Sequence, residues 1–521
     1  MGHVRLVIGL FMVFMSLSMN AINAIADTRY VGVLATGDGT GTNTSNLCGG
    51  LADSDCTPAA GDTVYLCGAW TSTMTPQAVN GTVANPIVYE WDCPGNPATL
   101  TFDAGAQFAF NISGRAYWTV NNLRIQGKAG EAGPTNQEAL VFIGNGSNHI
   151  TLNRPTVWDN SFKSGLYATN ANTLTINDLT AYNNAWYGAY VYTGTYQVVI
   201  DGYTTYSNAR AGIFFLGATQ SANYDNTARN GTSYGNGDGA YASIADHILF
   251  ENNVLYSNTN VAGSGEGYGI GVQQVTNVRV VGNTIHDNRT DGIEVWGDAS
   301  ASSNSCEIVS NTIYNHTTIV DPSGSNGIEI RTGYSDGCQV FGNLLWNNRR
   351  HFRLGNDASL RGVLANNTTY LGQVGVSFTD SNEPGTNPVT GWTIRNNVFS
   401  EQADFWLDIE SSLTTGNSNT FANNIFFGGA GAADYNGVTY TAGTINSVDS
   451  TAITTDPLFL NPTAASPDFR TGPSSPVRRA GSSGVLCLDV RGRTCPPDRP
   501  NIGAYQSTSG DPAAPRAVRI P

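Results

Sequence analysis

Charged side chains recur at equivalent places in three short segments, residues 292–296 (GIEVW), 327–331 (GIEIR) and 351–355 (HFRLG). Each segment alternates apolar and polar residues, which is typical of a β-strand with one buried face. On this pattern the apolar residues point one way, and Glu294, Glu329 and Arg353 point the other way. The segments therefore predict a column of charged side chains on the outer face of successive strands.

Two carboxylates in such a column would lie close together. Strands stacked at the usual spacing would hold the bases of Glu294 and Glu329 about 4.8 Å apart, so a shared proton, a cation or an arginine must offset their repulsion. With Asp291 three residues earlier, the three acids predict a Ca²⁺ site, because calcium prefers carboxylate and carbonyl oxygens. The alternative is a surface ionic ladder with Arg331 and Arg353, which would contribute little stability.

The elements that would position these residues are repeats. The segments recur every few tens of residues and so predict coils of a solenoid rather than a hairpin. The outward column extends over Tyr167, Tyr190, Phe214, Gly271, Glu294, Glu329, Arg353 and Ser377. A second column, two residues further on, contains Thr169, Tyr192, Leu216, Gln273, Trp296, Arg331, Gly355 and Thr379. We expect a substrate groove along these columns, with a notch at Gly271 and with sugar-binding side chains at Tyr190, Tyr192, Phe214, Trp296 and Gln273.

A recurring asparagine supports the same fold. Asn tolerates left-handed turns and can bind identical side chains above and below it, and it recurs at Asn253, Asn283, Asn311, Asn343, Asn367, Asn397 and Asn424. We therefore predict an all-β fold, a single-stranded right-handed parallel β-helix of about ten coils with N- and C-terminal caps. His286 and His316, in polar stretches near strand ends, are interpreted as surface residues.

Composition limits the class of protein and its partners. Sixty glycines and only 12% charged residues favour turn-rich β-structure over helices. A net charge of −15 argues against nucleic-acid or anionic-membrane binding, and a polyanionic substrate would need a local positive centre. We expect a monomer.

The start of the chain and its cysteines suggest export. Arg5, the apolar run from Leu6 to Met19 and the small residues around Ala24 predict a signal peptide over residues 1–26, too short for a membrane span. The mature protein would be secreted or periplasmic, where disulfides form. Equal offsets from the repeated asparagine pair Cys306 with Cys338, and proximity suggests Cys48–Cys56, Cys67–Cys93 and Cys487–Cys495.

The predicted domains follow the repeats. We expect residues 27–105 to form an N-terminal cap and the first coils, residues 106–430 the β-helix, and residues 431–521 a C-terminal capping segment. Two polar interruptions, between Leu216 and Ile248 and from Thr259 to Tyr268, are predicted as long loops bordering the Gly271 position.

The end of the chain resembles a known superfamily. The tail carries residues 456–459 (DPLF), 467–470 (PDFR) and 501–505 (NIGAY), and with the repeats from Phe110 onward it resembles secreted parallel β-helix proteins of the pectin-lyase-like superfamily. The resemblance implies a carbohydrate-related role, because the superfamily includes lyases, hydrolases and adhesins.

A more distant resemblance concerns chemistry. Polysaccharide lyase family 6 is similar in placing acidic calcium ligands on successive coils, and it uses a Lys and an Arg for proton transfer. This region has no lysine, so on that resemblance the base would be Arg353, Arg331, His351 or Tyr268. Arginine is a poor base because it hardly deprotonates.

Three functions fit these residues. The first is calcium-assisted β-elimination of a uronate-containing polysaccharide, in which an arginine orients the substrate carboxylate. The second is glycoside hydrolysis by the paired carboxylates. The third is a non-catalytic carbohydrate-binding or adhesive surface.

Overall fold

The computed structural model describes residues 26–102, 107–127, 139–161, 163–259, 266–297, 305–317, 324–331, 337–355, 362–379, 389, 391–409, 419–463, 466–484, 487–496 and 498–506. Within them there is no α-helix, and single turns of 3₁₀-helix occur at Ser54–Cys56, Gln220–Ala222 and Ile445–Ser447. The predicted signal peptide, residues 1–26, lies outside this part except for its last residue. No described helix has the length and apolar character needed to cross a membrane.

The strands form three parallel ladders, here called sheets A, B and C, and the chain visits them in that order in each turn. Strands pair in parallel with their equivalents one turn later. Sheet A contains Thr28–Gly32, Cys48–Gly49, Thr63–Leu66, Ile87–Glu90, Ala116–Asn121, Asn148–Asn153, Asn172–Asn177, Thr195–Asp201, Asn223–Arg229, Asp246–Glu251, Val278–Val281, Cys306–Val309, Cys338–Phe341, Gly362–Ala365, Trp392–Arg395 and Thr420–Ala422.

Sheet B is the narrow face. Its strands are Ala69–Trp70, Thr99–Thr101, Arg124–Gln126, Thr156–Trp158, Thr180–Tyr182, Thr204–Tyr206, Thr232–Tyr234, Val254–Tyr256, Thr284–His286, Thr312–Tyr314, Leu344–Trp346, Ile425–Phe427 and the first halves of Thr368–Thr379 and Val398–Ile409. His286 stacks in this face between Tyr256 and Tyr314, with ring centroids 5.0 and 4.7 Å away.

Sheet C carries the predicted charged column. Its strands are Phe108–Asn111, Ala139–Gly144, Ser164–Thr169, Ala189–Val191, Ala211–Leu216, Asp238–Ser243, Ile270–Gln273, Ile293–Trp296, Asn326–Ile330, Arg350–Gly355, the second halves of the two long strands, and Ala432–Tyr435. Val438–Thr441 adds an antiparallel strand at the end of this sheet, and Phe459–Asn461 pairs with Asp468–Thr471 separately. The solenoid has about 11 turns, which confirms the predicted parallel β-helix.

Two internal ladders of amides hold the coils in register. The predicted ladder is confirmed: the side-chain amide of Asn253 donates to Asn283 at 3.0 Å, and the pattern repeats up to Asn424, which donates to Asp449 at 2.9 Å. The residue before a ladder asparagine is left-handed, with φ of 54° at Asn252. Stacked buried amides satisfy each other's donors and acceptors and so fix the alignment of the turns.

The second ladder runs through Asn160, Asn184, Asn208, Asn236, Asn258, Asn288, His316 and Asn348. His316 is fully buried, and its Nδ1 lies 2.8 Å from Asn348 Oδ1. The predicted surface position of His316 is therefore wrong, because the imidazole takes the place of an asparagine in the ladder. Burial lowers the pKa of His316 to about 4.

One predicted loop is instead a complete turn. Between Leu216 and Ile248 the chain forms strands Asn223–Arg229, Thr232–Tyr234 and Asp238–Ser243, one in each sheet. The prediction missed this turn because its inward positions are small or polar, such as Asn226 and Ser233, which bury hydrogen-bonding groups instead of aliphatic ones. The second predicted loop falls largely on residues 260–265, outside the described part of the chain.

All four predicted disulfides are present. Cys306 and Cys338 pair directly across neighbouring strands of sheet A, with Cα atoms 4.6 Å apart. The other three pairs are Cys48–Cys56, Cys67–Cys93 and Cys487–Cys495. These disulfides are consistent with an extracellular location.

The described tail packs along the side of the solenoid. Asn366 donates to the carbonyl of Asn501 at 2.8 Å, Gly503 N–H donates to Asn396, and Ser310 donates to the carbonyl of Asp489. These contacts cross several turns, so this segment clamps coils together.

Candidate functional site

The strand register places the predicted column on sheet C. Glu294 pairs with Gly271 on one side and with Glu329 on the other, and Glu329 pairs with Arg353. Tyr190 pairs with Phe214 in the same column. The prediction omitted Tyr241, which lies between Phe214 and Gly271 because it belongs to the turn that was predicted as a loop.

The predicted notch at Gly271 is filled. A Cβ atom at Gly271 would lie 2.4 Å from the ring of Tyr241 and 3.1 Å from Cδ2 of Tyr268. Glycine is therefore required there because an aromatic ring covers its backbone. The prediction of an open notch is wrong.

Three carboxyl groups form a buried cluster, here called the acid centre: Asp291, Glu294 and Glu329. One oxygen from each lies within 4.8 Å of the others. The residues are 1%, 4% and 0% exposed, respectively. The alternative of an ionic ladder is therefore wrong in its surface location, although the ion pairs that it predicted with Arg331 and Arg353 are present.

Two arginines bind the acid centre. Arg331 places Nε 2.6 Å from Glu329 Oε1 and Nη2 2.9 Å from Glu294 Oε1. Arg353 is buried and places Nη1 2.7 Å from the same Glu329 oxygen. The other oxygen, Glu329 Oε2, accepts from the side-chain amide of Asn326 at 2.6 Å. Glu329 is thus fully held by donors, two of them cationic.

The remaining acids titrate unusually. Burial raises the pKa of Glu294 to about 7, Arg331 acts to lower it, and Glu329 adds to the rise. Burial and the charges of Glu329 and Glu294 hold the pKa of Asp291 well above its ordinary value. Burial also acts to lower the pKa of Arg331, but Glu329 and Glu294 outweigh it, so the net pKa is above that of ordinary arginine. Three carboxyl groups and two guanidinium groups therefore lie together in one largely buried cluster.

Comparison with known proteins addresses the fold. The family model "Right handed beta helix region" matches residues 108–262 and 164–345.

The chain is a right-handed parallel β-helix protein. The family match agrees with the right-handed β-helix fold that the predicted resemblance implied. No curated protein matches the chain in sequence.

Several solved structures are similar to this β-helix at low identity. The A-module of Azotobacter vinelandii mannuronan C-5 epimerase AlgE4 is 14% identical with a TM-score of 0.42, covering 62% of this chain and 89% of that one. Pectate lyase Pel9A is 13% identical with a TM-score of 0.34, covering 93% and 98%. The tailspike of E. coli bacteriophage HK620 is 13% identical with a TM-score of 0.45, covering 82% and 78%.

Tyr268 covers the acid centre of the β-helix. Its hydroxyl interacts with the Glu294 carboxyl, and only 9% of the residue is exposed. Burial and Glu294 raise the pKa of Tyr268 far above that of ordinary tyrosine. Asp238 fixes the segment that carries this ring, because Asp238 Oδ1 accepts from the backbone N–H groups of Glu266, Gly267 and Tyr268 at 2.9–3.1 Å.

The other predicted catalytic residues differ in accessibility. The Arg331 side chain is 32% exposed and Arg353 is 2% exposed. His351 is completely buried, its Nδ1 lies 3.3 Å from the side-chain amide of Asn348, and its Nε2 has no hydrogen-bond partner among the described residues. Burial lowers the pKa of His351 to about 3. A surface-bound substrate therefore has access to Arg331 but not to His351.

The predicted sugar-binding residues are spread along the same face. Tyr190 lies 5.3 Å from Tyr192 and 5.5 Å from Phe214, measured between ring centroids. Trp296 is 38% exposed, and Gln273 Oε1 accepts from the Tyr241 hydroxyl at 3.3 Å. The tyrosines and Phe214 pack together, whereas Trp296 lies one strand beyond Gln273.

An open cavity of about 200 Å³ lies beside this aromatic group. It is lined by Tyr187, Arg210, Ala211, Phe214, Asp238, Tyr241 and Glu266. Sequence reasoning placed Asp238, Tyr241 and Glu266 only in loops and did not identify Tyr187 or Arg210. The signal that could have found them is their place near the starts of sheet C strands, with Tyr187 directly before Gly188 and Arg210 two residues before Gly212.

Proposed function

We propose that this β-helix protein is an extracellular polysaccharide lyase that cleaves a uronate-containing polysaccharide by β-elimination at the acid centre. The observation that supports this most directly is the contact of Tyr268 with Glu294 beside the partly exposed Arg331. In this proposal Tyr268 carries the proton, Glu294 accepts it from Tyr268, and Arg331 supplies the cation on the same side of the solenoid.

Arg331 orients the substrate. Its guanidinium has five N–H donors, and its ion pairs with Glu329 and Glu294 leave donors for a ligand. A guanidinium matches a carboxylate in a planar fork, so it binds the uronate carboxylate and stabilises the charge that develops on it when the α-proton leaves. The raised pKa keeps Arg331 charged, so it does not act as the base.

Tyr268 moves the proton. As the phenol oxygen takes the α-proton of the uronate, its own proton passes to the Glu294 carboxylate, with which the hydroxyl interacts. The C–H electron pair forms the new double bond, and the bond to the glycosidic oxygen breaks. The departing oxygen then takes the proton back from Tyr268, and Glu294 returns the proton of the phenol.

The carboxyl groups of the acid centre are better suited to hold a proton than to bind the predicted Ca²⁺. Its three carboxylates are ligands that calcium prefers, and their spacing suits one ion. However, both oxygens of Glu329 already accept from Arg331, Arg353 or Asn326. A divalent ion would also face two guanidinium groups within one cluster. We therefore derive no step through calcium, and calcium binding stays a prediction for titration.

Glycoside hydrolysis is the second candidate. A carboxyl with a pKa of about 7 is suited to act as a general acid at neutral pH, which is the property of Glu294. The close approach of Glu294 and Glu329 leaves little room for a water between them, which is the arrangement of retaining rather than inverting enzymes.

A substrate panel tests the proposal. Alginate, polygalacturonate and chondroitin are each incubated with the protein, with and without added calcium. Lyase activity gives ultraviolet-absorbing unsaturated uronates together with new reducing ends. New reducing ends without that absorbance indicate hydrolysis, and neither signal on any polymer argues for a binding protein.

Variants on the best substrate assign the roles. Tyr268→Phe should lower kcat by about 10²-fold or more, on the usual scale of general acid–base catalysis. Tyr234→Phe is the matched control, because Tyr234 stacks on the other face in sheet B. Full activity of Tyr268→Phe would remove Tyr268 from the mechanism.

A further inference from the structure

The cavity beside the aromatic group is lined by one arginine among the described residues, Arg210. Arg210 Nη1 donates to the Tyr187 hydroxyl at 3.2 Å, and its Cζ lies 4.4 Å from the ring centroid of Trp186. No carboxylate among the described residues forms an ion pair with it, whereas Arg124 and Arg229 on other faces pair with Asp92 and Asp201. Asp238 and Glu266 line the same cavity, but neither forms an ion pair with Arg210, so its guanidinium can bind an anionic ligand.

The surroundings of Arg210 have the properties of a sugar site. The rings of Tyr187 and Phe214 lie 4.9 Å apart, and Phe214 meets Tyr241 edge-on at 5.4 Å. Aromatic rings accept the apolar face of a sugar, while charged groups fix its polar substituents. Glu266 adds a carboxylate at the same cavity, which can accept hydrogen bonds from sugar hydroxyls.

We infer that this cavity is a separate subsite for one acidic sugar unit, whose carboxylate binds Arg210 and whose ring lies against Tyr187 and Phe214. The inference rests on the proposed function, because it adds a second point of attachment for the same polymer. Phe214, Tyr241, Gly271 and Glu294 are successive partners along sheet C, so the cavity residues Tyr241 and Phe214 lie two and three strands from Glu294, about 10 and 14 Å away at the usual strand spacing. A polymer can thus occupy both positions at once, and the subsite selects a chain with a uronate away from the bond that is cleaved.

Binding is tested without turnover. Trisaccharides of galacturonate, mannuronate and guluronate, and the methyl esters of each, are titrated calorimetrically into the Tyr268→Phe protein. The ester keeps the sugar ring and removes the negative charge. We expect at least one acid form to bind ten-fold or more tightly than its ester.

The variants locate that charge recognition. Arg210→Gln should weaken binding of the acid form by about ten-fold or more and leave binding of the ester unchanged, because a charge-assisted pair is lost. Arg210→Lys should restore part of it. Arg229→Gln is the control, an arginine of sheet A whose charge is removed far from the cavity, and it should change nothing. Unfolding temperatures of all variants check that the fold is kept.

The outcomes separate the two proposals. Equal binding of acid and ester, equal effects of Arg210→Gln and Arg229→Gln, or no binding of any trisaccharide would overturn the subsite. Each can occur while the unaltered protein still cleaves polymer at the acid centre. Conversely, charge recognition at Arg210 combined with no cleavage of any polymer by the unaltered protein would uphold the subsite and refute the proposed chemistry.

Discussion

Replacing Arg353 by methionine tests whether the acid centre depends on its buried cation. Arg353 is 2% exposed and its Nη1 lies 2.7 Å from Glu329 Oε1, and Glu329 is 0% exposed. Removing one partner of a buried ion pair typically costs about 3–5 kcal/mol, because the other charge stays buried. Arg331 and Asn326 still bind Glu329 in the variant. We therefore expect Arg353→Met to lower the free energy of unfolding by about 3 kcal/mol, at the lower end of that range.

The matched control is Arg279→Met. Arg279 also pairs with a glutamate one turn away, at 2.7 Å, but its side chain is 55% exposed and that of Glu307 is 35% exposed. A solvated pair of this kind contributes about 1 kcal/mol or less. Urea titrations followed by circular dichroism give both free energies, provided that the slopes agree.

The double variant isolates the interaction. If Arg353 acts through Glu329, the variant that carries both Arg353→Met and Glu329→Gln should lose less stability than the two single variants lose in total. The expected difference is about 1–3 kcal/mol. The idea that Arg353 and Glu329 stabilise each other in the interior would be refuted by two results together. These are equal losses of unfolding free energy in Arg353→Met and Arg279→Met, and a loss in the double variant equal to the sum of its single losses.

Three further predictions concern individual residues. The pKa of Glu294 is about 7 in the folded protein and 4.5 ordinarily, so its contribution to stability is full below about pH 4.5 and is lost as the pH rises through 7. In urea titrations, the stability of the natural protein relative to Glu294→Gln should therefore fall across that pH range. Gly271→Ala should cost about 1–3 kcal/mol through the clash with the Tyr241 ring, and Tyr241→Leu should relieve it; an unchanged melting temperature would contradict this. Replacing Cys306 and Cys338 together by alanine should cost no more than about 4 kcal/mol, because the paired strands already align them; failure to fold would show that the bridge does more.

The sequence predicts the fold well because the same sequence pattern recurs in many turns of a solenoid. The inward aliphatic positions and the asparagine ladder appear in several turns, so a missed turn does not change the conclusion. The error at residues 223–243 has a local cause, since that turn buries Asn226 and Ser233 where others bury aliphatic residues. The second amide ladder was also readable, because Asn258, Asn288 and Asn348 each follow an asparagine of the first ladder by five residues.

The site was predicted less completely because burial and contacts between turns depend on packing. The column of Glu294, Glu329 and Arg353 follows from strand alternation, and the register confirms it. Alternation does not reveal that an outward carboxylate is covered, as Glu294 is by Tyr268. It also does not place Arg210 and Tyr187, which lie at strand starts, beyond the reach of the alternating pattern.

The segment from Glu266 to Tyr268 links the two halves of this face. Glu266 lines the cavity, Tyr268 covers the acid centre, and Asp238 holds both through their backbone N–H groups. Burial raises the pKa of Asp238 to about 6, while those N–H groups favour its charged form. A ligand that contacts Glu266 in the cavity therefore contacts the same backbone segment that positions the Tyr268 side chain. We expect filling of the subsite to help set the position of Tyr268, so a longer substrate should gain in kcat as well as in binding.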